Sequence, residues 1–230
     1  MKLKGFSLAE ILITMSIIGV VAALTIPVIN TNIQISDMEA RYAKIVRDLE
    51  NANQFLLADR EAKTLQTACG ISDDDTQFNQ ASAYLNTLSR AYNLTGGINP
   101  RAVQYDVVGQ NIPANTAWYY LSADGDMALF PRNAEIGDLS DYYQVFVDLN
   151  GPNRAPNRMG RDLHLFVIDK IEGDVAGYGS SQMTPFAQGG SMAGDRSSAN
   201  CNENRISEVL TCTGSITDNG GRIVYDFNRL

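Results

Sequence analysis

The chain has 230 residues, with 18 Lys and Arg against 26 Asp and Glu and a formal net charge of −8. That acidic balance, without a basic stripe to meet phosphates, argues against nucleic acid as a partner. Hydrophobic residues make up 44% of the chain, a share inflated by one N-terminal run, so that about 190 residues remain for a single soluble domain with a real core.

From Phe6 to Ile29 the only ionisable side chain is Glu10. At about 1.5 Å of rise per residue, a helix over this stretch crosses a hydrocarbon layer of roughly 30 Å. Residues 6–29 therefore read as a membrane-spanning helix, and a carboxylate near its start is costly unless something compensates it. Lys2 and Lys4 form a short basic head directly before Gly5, which places the small residue suited to processing ahead of the apolar run. A secretory signal has the opposite order, with its cleavage site beyond a shorter apolar core; Val21-Ala22-Ala23 is where such a cut would fall. Cleavage after Gly5 would leave an amine at Phe6, with an ordinary pKa of about 8, roughly one helical turn from Glu10. On the same or a neighbouring subunit, that amine is the natural partner for the carboxylate. Lys2 and Lys4 before the helix, with Asp37 and Glu39 after it, put residues 1–5 in the cytoplasm and the domain on the exported, oxidising side.

Gly5-Phe6-Ser7-Leu8-Ala9-Glu10, followed by Gly19 and Pro27 within an apolar helix, resembles the precursor N terminus of type IV pilins and of type II secretion pseudopilins. The resemblance covers about residues 2–29. It implies a prepilin peptidase that cuts after Gly5 and methylates the new amine of Phe6. It also implies that Glu10 sets the register of each incoming subunit against its neighbour's amine, and that Gly19 and Pro27 loosen the helix during assembly, as the helix cost of Gly and the missing amide of Pro allow. The expected organisation is a leader over 1–5, a membrane and filament-core helix over 6–29 and a periplasmic or extracellular pilin-like domain over 30–230. The implied partners are other pilin subunits, the peptidase and an inner-membrane assembly platform with its ATPase. The implied function is that of a filament subunit, pilus or pseudopilus, first in the bacterial inner membrane and then outside it. Three other readings stand beside it: a minor tip pilin or adhesin acting as a binding module, a single-pass anchored protein that never polymerises, and a secreted hydrolase whose N terminus would lie near Leu24.

Beyond Pro27 the helix is expected to resume, because Ile35, Met38, Tyr42, Ile45, Leu49, Ala52 and Leu56 recur at spacings of three and four and mark one apolar face. Arg41, Lys44, Arg47, Asp48 and Asp59 mostly decorate the other side. Asp73-Asp74-Asp75-Thr76 is an N-cap signature ahead of Phe78, Ala81, Leu85, Leu88 and Tyr92, so a second amphipathic helix is predicted there. Gly96-Gly97 and Pro100 are read as its end. From Arg101 the period shortens: residues 103–108, 116–122, 127–130, 142–147, 163–168 and 222–227 are β-rich, and Asp124-Gly125 signals a hairpin. The fold class is therefore α+β, a long N-terminal helix whose amphipathic half packs on an antiparallel sheet. Residues 173–194, rich in Gly, Ser and Gln, read as a long surface loop.

Of the three cysteines, Cys201 and Cys212 are near in sequence and suit a short C-terminal loop, worth about 2–3 kcal/mol in the chain-entropy model. Pairing of Cys69 with either stays open. Asp148, Asn150, Asn153, Asn157 and Asp162 bring hard oxygens into one loop between two strands, the chemistry calcium requires; Gly151 comes too early, and the closing Glu is missing, for an EF-hand. The alternative is a turn-rich connection using Asn, Gly and Pro for their backbone habits, with Arg154, Arg158 and Arg161 opposing a cation. Asp148, Asn150, Asn153 and Asp162 are the candidate ligands, and calcium is the one cofactor this loop suggests; no small-molecule cofactor is expected. Catalysis is not expected: the sole histidine, His164, alternates with apolar residues in a predicted strand, no Cys-x-x-Cys pair suits zinc, and Gly177-Tyr178-Gly179-Ser180-Ser181 lacks the spacing of a nucleophile elbow.

Overall fold

A computed structural model gives the fold, and the description covers residues 7–72, 74–92, 95–98, 117–120, 128–131, 141–151, 154, 158–178, 180–181, 201 and 212–224. The chain divides into two compact units, Met1–Asp37 and Met38–Leu230. Helix α1 (Leu8–Asp59) supplies all described helix of the first unit and opens the second.

In the first unit the apolar side chains are exposed nearly all round, Leu8 at 76% and Leu24 at 70%. The helix is long and apolar enough to cross a membrane. Its hydroxyls are turned inward: Thr14 donates to Ile11 O (2.9 Å), Ser16 to Leu12 O (2.8 Å), Thr25 to Val21 O (2.9 Å) and Thr31 to Pro27 O (3.1 Å). An apolar solvent demands that, because it offers polar groups no partner.

The second unit is α+β. From Met38 on, α1 buries Tyr42, Ile45, Leu49, Ala52 and Leu56, the face predicted from the spacing, each large side chain contributing about 1.5–3 kcal/mol of burial. The helix stops at a left-handed residue, Glu61 (φ 48°). Ala62 N–H closes back on Leu57 O (3.0 Å) and Glu61 N–H on Ala58 O (3.3 Å), a Schellman closure without its usual Gly. Helix α2 (Leu65–Cys69) follows, capped by Thr64 and ended by left-handed Gly70. Helix α3 (Gln77–Tyr92) starts where predicted, with Thr76 Oγ1 accepting from Asn79 N–H (3.3 Å). Its Ala81, Tyr84, Leu85 and Leu88 join the same core as α1.

Six strands form one antiparallel meander in sequence order: β1 (Thr95–Ile98), β2 (Ala117–Tyr120), β3 (Ala128–Pro131), β4 (Tyr142–Asp148), β5 (Leu163–Asp169) and β6 (Val175–Gly177). In β4 and β5 both faces are buried, and their register pairs Tyr143 with Ile168, Val145 with Phe166 and Val147 with His164. Most of these side chains, His164 excepted, belong to the core shared with α1 and α3. A last helix, α4 (Cys212–Asp218), packs on β5 and β6.

Three expectations are corrected. Gly96-Gly97 do not end α3; they lie in β1, paired with Tyr119 and Trp118 of β2, because a strand needs backbone partners and a neighbouring strand provides them even where side chains are missing. The expected loop over 173–194 begins with a strand, β6. Gly177 belongs there because a Cβ at that position would lie 2.2 Å from the carbonyl carbon of Thr213, so only glycine admits the α4 backbone. The strand expected over 222–227 is not formed at Arg222, Ile223 or Val224; Ile223 N–H is taken by Glu39 Oε1 (2.8 Å) instead of a sheet. The expected strand over 103–108 and the Asp124-Gly125 hairpin lie outside the described residues.

Candidate functional site

Gly5 and Phe6 lie outside the described residues, which begin at Ser7. Ser7 and Glu10 form a reciprocal capping box. Ser7 N–H and Ser7 Oγ–H both donate to Glu10 Oε2 (2.8 and 2.9 Å), and Glu10 N–H returns to Ser7 Oγ (3.3 Å). The carboxylate is thereby held at the first turn, where the helix dipole favours negative charge. Both bonds to the carboxylate fall on Oε2. The Ser-x-x-Glu spacing carries this signal in the sequence. Gly19 has nothing within 4 Å of where a Cβ would sit, and α1 runs unbroken through both Gly19 and Pro27.

The β4–β5 connection brings together three of the four candidate metal ligands, Asp148, Asn150 and Asp162; Asn153 lies outside the described residues. Both carboxylates are wholly buried and Asn150 is 8% exposed. Asp148 Oδ1 accepts from Asn150 N–H (3.1 Å) and Gly151 N–H (2.8 Å), the latter at a left-handed glycine (φ 84°). Asp162 Oδ1 accepts from Arg158 N–H (2.6 Å) and its Oδ2 from Asn150 Nδ2 (3.1 Å). Asn150 Oδ1 is buried without a hydrogen-bond partner, an arrangement that costs about 1–3 kcal/mol unless something fills it. Among the described residues no three His, Cys, Asp or Glu side chains gather to hold a metal; the polar atoms this loop offers are oxygens of carboxylates and an amide, a chemistry of hard cations and not of soft ones. Arg41 Nη1 donates to Leu149 O (3.0 Å), tying this loop to α1.

His164 is buried between Tyr42, whose ring meets it edge-on at 6.1 Å, and α4. Its Nε2 lies 3.4 Å from Arg161 O, which can only accept, so in the neutral ring Nε2 carries the proton and Nδ1, 3.3 Å from Thr213 Oγ1, accepts from that hydroxyl; the same Oγ1 accepts from Leu165 N–H (3.0 Å). Burial pulls the imidazole down to about 4, so it is neutral near pH 7. It is wholly buried. Tyr42 Oη bonds Thr213 O (3.3 Å) and Thr217 Oγ1, and Thr217 Oγ1 accepts from Gly177 N–H (2.8 Å). Cys201 and Cys212 are joined at a Cα separation of 4.8 Å. Cys69 is a free thiol, half-buried, and burial pushes it up to about 11, so it is not a reactive thiolate.

No curated protein and no solved structure matches the chain. A family model described as the prokaryotic N-terminal methylation motif matches residues 1–26. The match ends within α1 and covers none of the second unit. The N-terminal segment thus carries the prepilin signature of type IV pilins and pseudopilins, followed by a long apolar helix.

Proposed function

We propose that this protein is a structural subunit of a type IV pilus-like or type II secretion pseudopilus filament. A prepilin peptidase cuts after Gly5 and methylates Phe6; the helix then leaves the inner membrane, into which it was inserted with its N terminus cytoplasmic, and packs with other pilin subunits on an assembly platform. The domain ends in the periplasm or outside the cell. The observation that carries this reading is a helix with an apolar surface exposed all round and one carboxylate at its start, beside a matched methylation motif. Mass spectrometry of the mature protein, with a Glu10→Ala strain imaged beside wild type, tests it. A first peptide beginning at N-methylated Phe6 and loss of fibres in the variant are expected. A retained leader, or normal fibres in the variant, would leave a single-pass anchored protein.

The β4–β5 loop favours one addition, calcium held by Asp148, Asn150 and Asp162. The orphaned Asn150 Oδ1 beside two buried carboxylates supports it. At a hundredfold excess of calcium over Kd, linkage raises Tm by about 5–10 °C. Melting the purified protein in calcium and in chelator, as wild type and as Asp162→Asn, decides the matter: a shift absent from wild type removes the site.

A further inference from the structure

We infer that helix α4 is a detachable cover latched by the Cys201–Cys212 disulfide: it seals the chain's sole histidine and the outer edge of β6, and it opens when a dithiol reduces that bond, while the rest of the domain stays folded. The device is redox-sensitive and does not depend on filament assembly.

What α4 offers the domain is mostly polar. One of its residues, Ile216, joins the hydrophobic core that α1, α3, β4 and β5 share. Ser215 Oγ is buried without a hydrogen-bond partner among the described residues, which opposes docking. Two hydroxyls hold the helix in place. Thr213 Oγ1 accepts from Leu165 N–H (3.0 Å) and donates to His164 Nδ1 (3.3 Å), and Thr217 Oγ1 accepts from Gly177 N–H (2.8 Å) and meets Tyr42 Oη. Gly214 N–H adds a bond to Tyr178 O (3.0 Å). Because β6 is the last strand of the sheet, α4 takes an edge donor that another strand could otherwise pair. An element with so little apolar contact sits at the low end of local stability, and the covalent bond at its first residue, Cys212, supplies what the hydrogen bonds lack. Cys212 is wholly buried and Cys201 only partly, so a thiolate of the dithiol attacks Cys201 Sγ and Cys212 leaves as a thiolate that takes up a proton. The second thiol of the reductant then displaces Cys201. The reductant departs as a disulfide, and two electrons and two protons have passed to the cysteines.

The test compares the purified full chain in detergent, oxidised, with the same protein in dithiothreitol and with the double variant Cys201→Ser/Cys212→Ser. Hydrogen exchange read by mass spectrometry follows peptides carrying the Leu165 and Gly177 amides against peptides of α3. Diethyl pyrocarbonate, applied after the reductant has been removed under argon, reads access to His164, the one imidazole in the chain. Reduction is expected to raise both exchange at Leu165 and Gly177 and carbethoxylation of His164 by roughly thirty- to hundredfold, the factor that the entropy of closing this loop implies, with α3 unchanged. The double variant is expected to match the reduced protein without dithiothreitol and to ignore its addition. Should the double variant fail to fold, the wild-type comparison decides by itself. No change in wild type, once mass analysis shows the thiols of Cys201 and Cys212 free, would overturn the latch, since α4 then stays docked without the bond. Exchange rising equally in α3 would overturn the local opening, since the bond then supports the whole domain.

Discussion

Helix α1 contributes to two units under opposite rules. Before Asp37 its apolar residues face outward and its hydroxyls bond to their own backbone. After Met38 its apolar residues face inward, and a polar residue at its core, Asn53, is satisfied from elsewhere: Asn53 Nδ2 donates to Gly173 O (2.7 Å) and its Oδ1 accepts from Tyr84 Oη (2.8 Å). The first stretch has apolar surface left to bury against something outside the chain; the second has spent its own on its domain. Substitutions in the two stretches should therefore act on different measurements.

Denaturant titrations of the purified full chain in detergent can break that contrast. Gly177→Ala is expected to destabilise the second unit most, by about 3 kcal/mol, because the new methyl meets the Thr213 backbone and neither side yields easily. Acid should cost nearly as much through His164. Its folded-state pKa of about 4 lies below the unfolded value of 6.5, so the stability it contributes is complete above the higher value and is lost as pH falls towards the lower one. That amounts to on the order of 3 kcal/mol, and His164→Gln should flatten that limb of the pH profile. Replacing Cys201 and Cys212 by serine is expected to cost about 2–3 kcal/mol. Glu61→Gly should stabilise by about 1 kcal/mol, since Gly accepts the left-handed backbone that Glu61 adopts. Leu24→Ala closes the series with less than about 0.5 kcal/mol, since the side chain is 70% exposed. A drop of several kcal/mol there, matching a core truncation such as Leu49→Ala, would contradict the comparison.

The parts that could be read in advance are those where a local period or spacing is itself the cause. The face from Tyr42 to Leu56, the Thr76 cap and strands β4 and β5 follow from apolar spacing and capping chemistry within a few residues of each other. At the candidate sites, the unpaired acid Glu10 was conspicuous in an apolar run, and Asp148, Asn150 and Asp162 were conspicuous as oxygen donors in one loop. What could not be read was which oxygen of Glu10 is held and which of Asn150 is orphaned, because both depend on side-chain directions.

The sequence by itself determined the apolar helix with its single acid, the methylation motif and the α+β alternation of periods, since all three are statements about neighbours along the chain. Only the tertiary structure decided α4 and β6. Cys212–Asp218 is a run of Thr, Ser and Gly with little helical preference. It becomes helix because Thr213 and Thr217 meet His164, Leu165, Tyr42 and Gly177 from distant parts of the chain, and because Gly177 has no side chain to keep them apart.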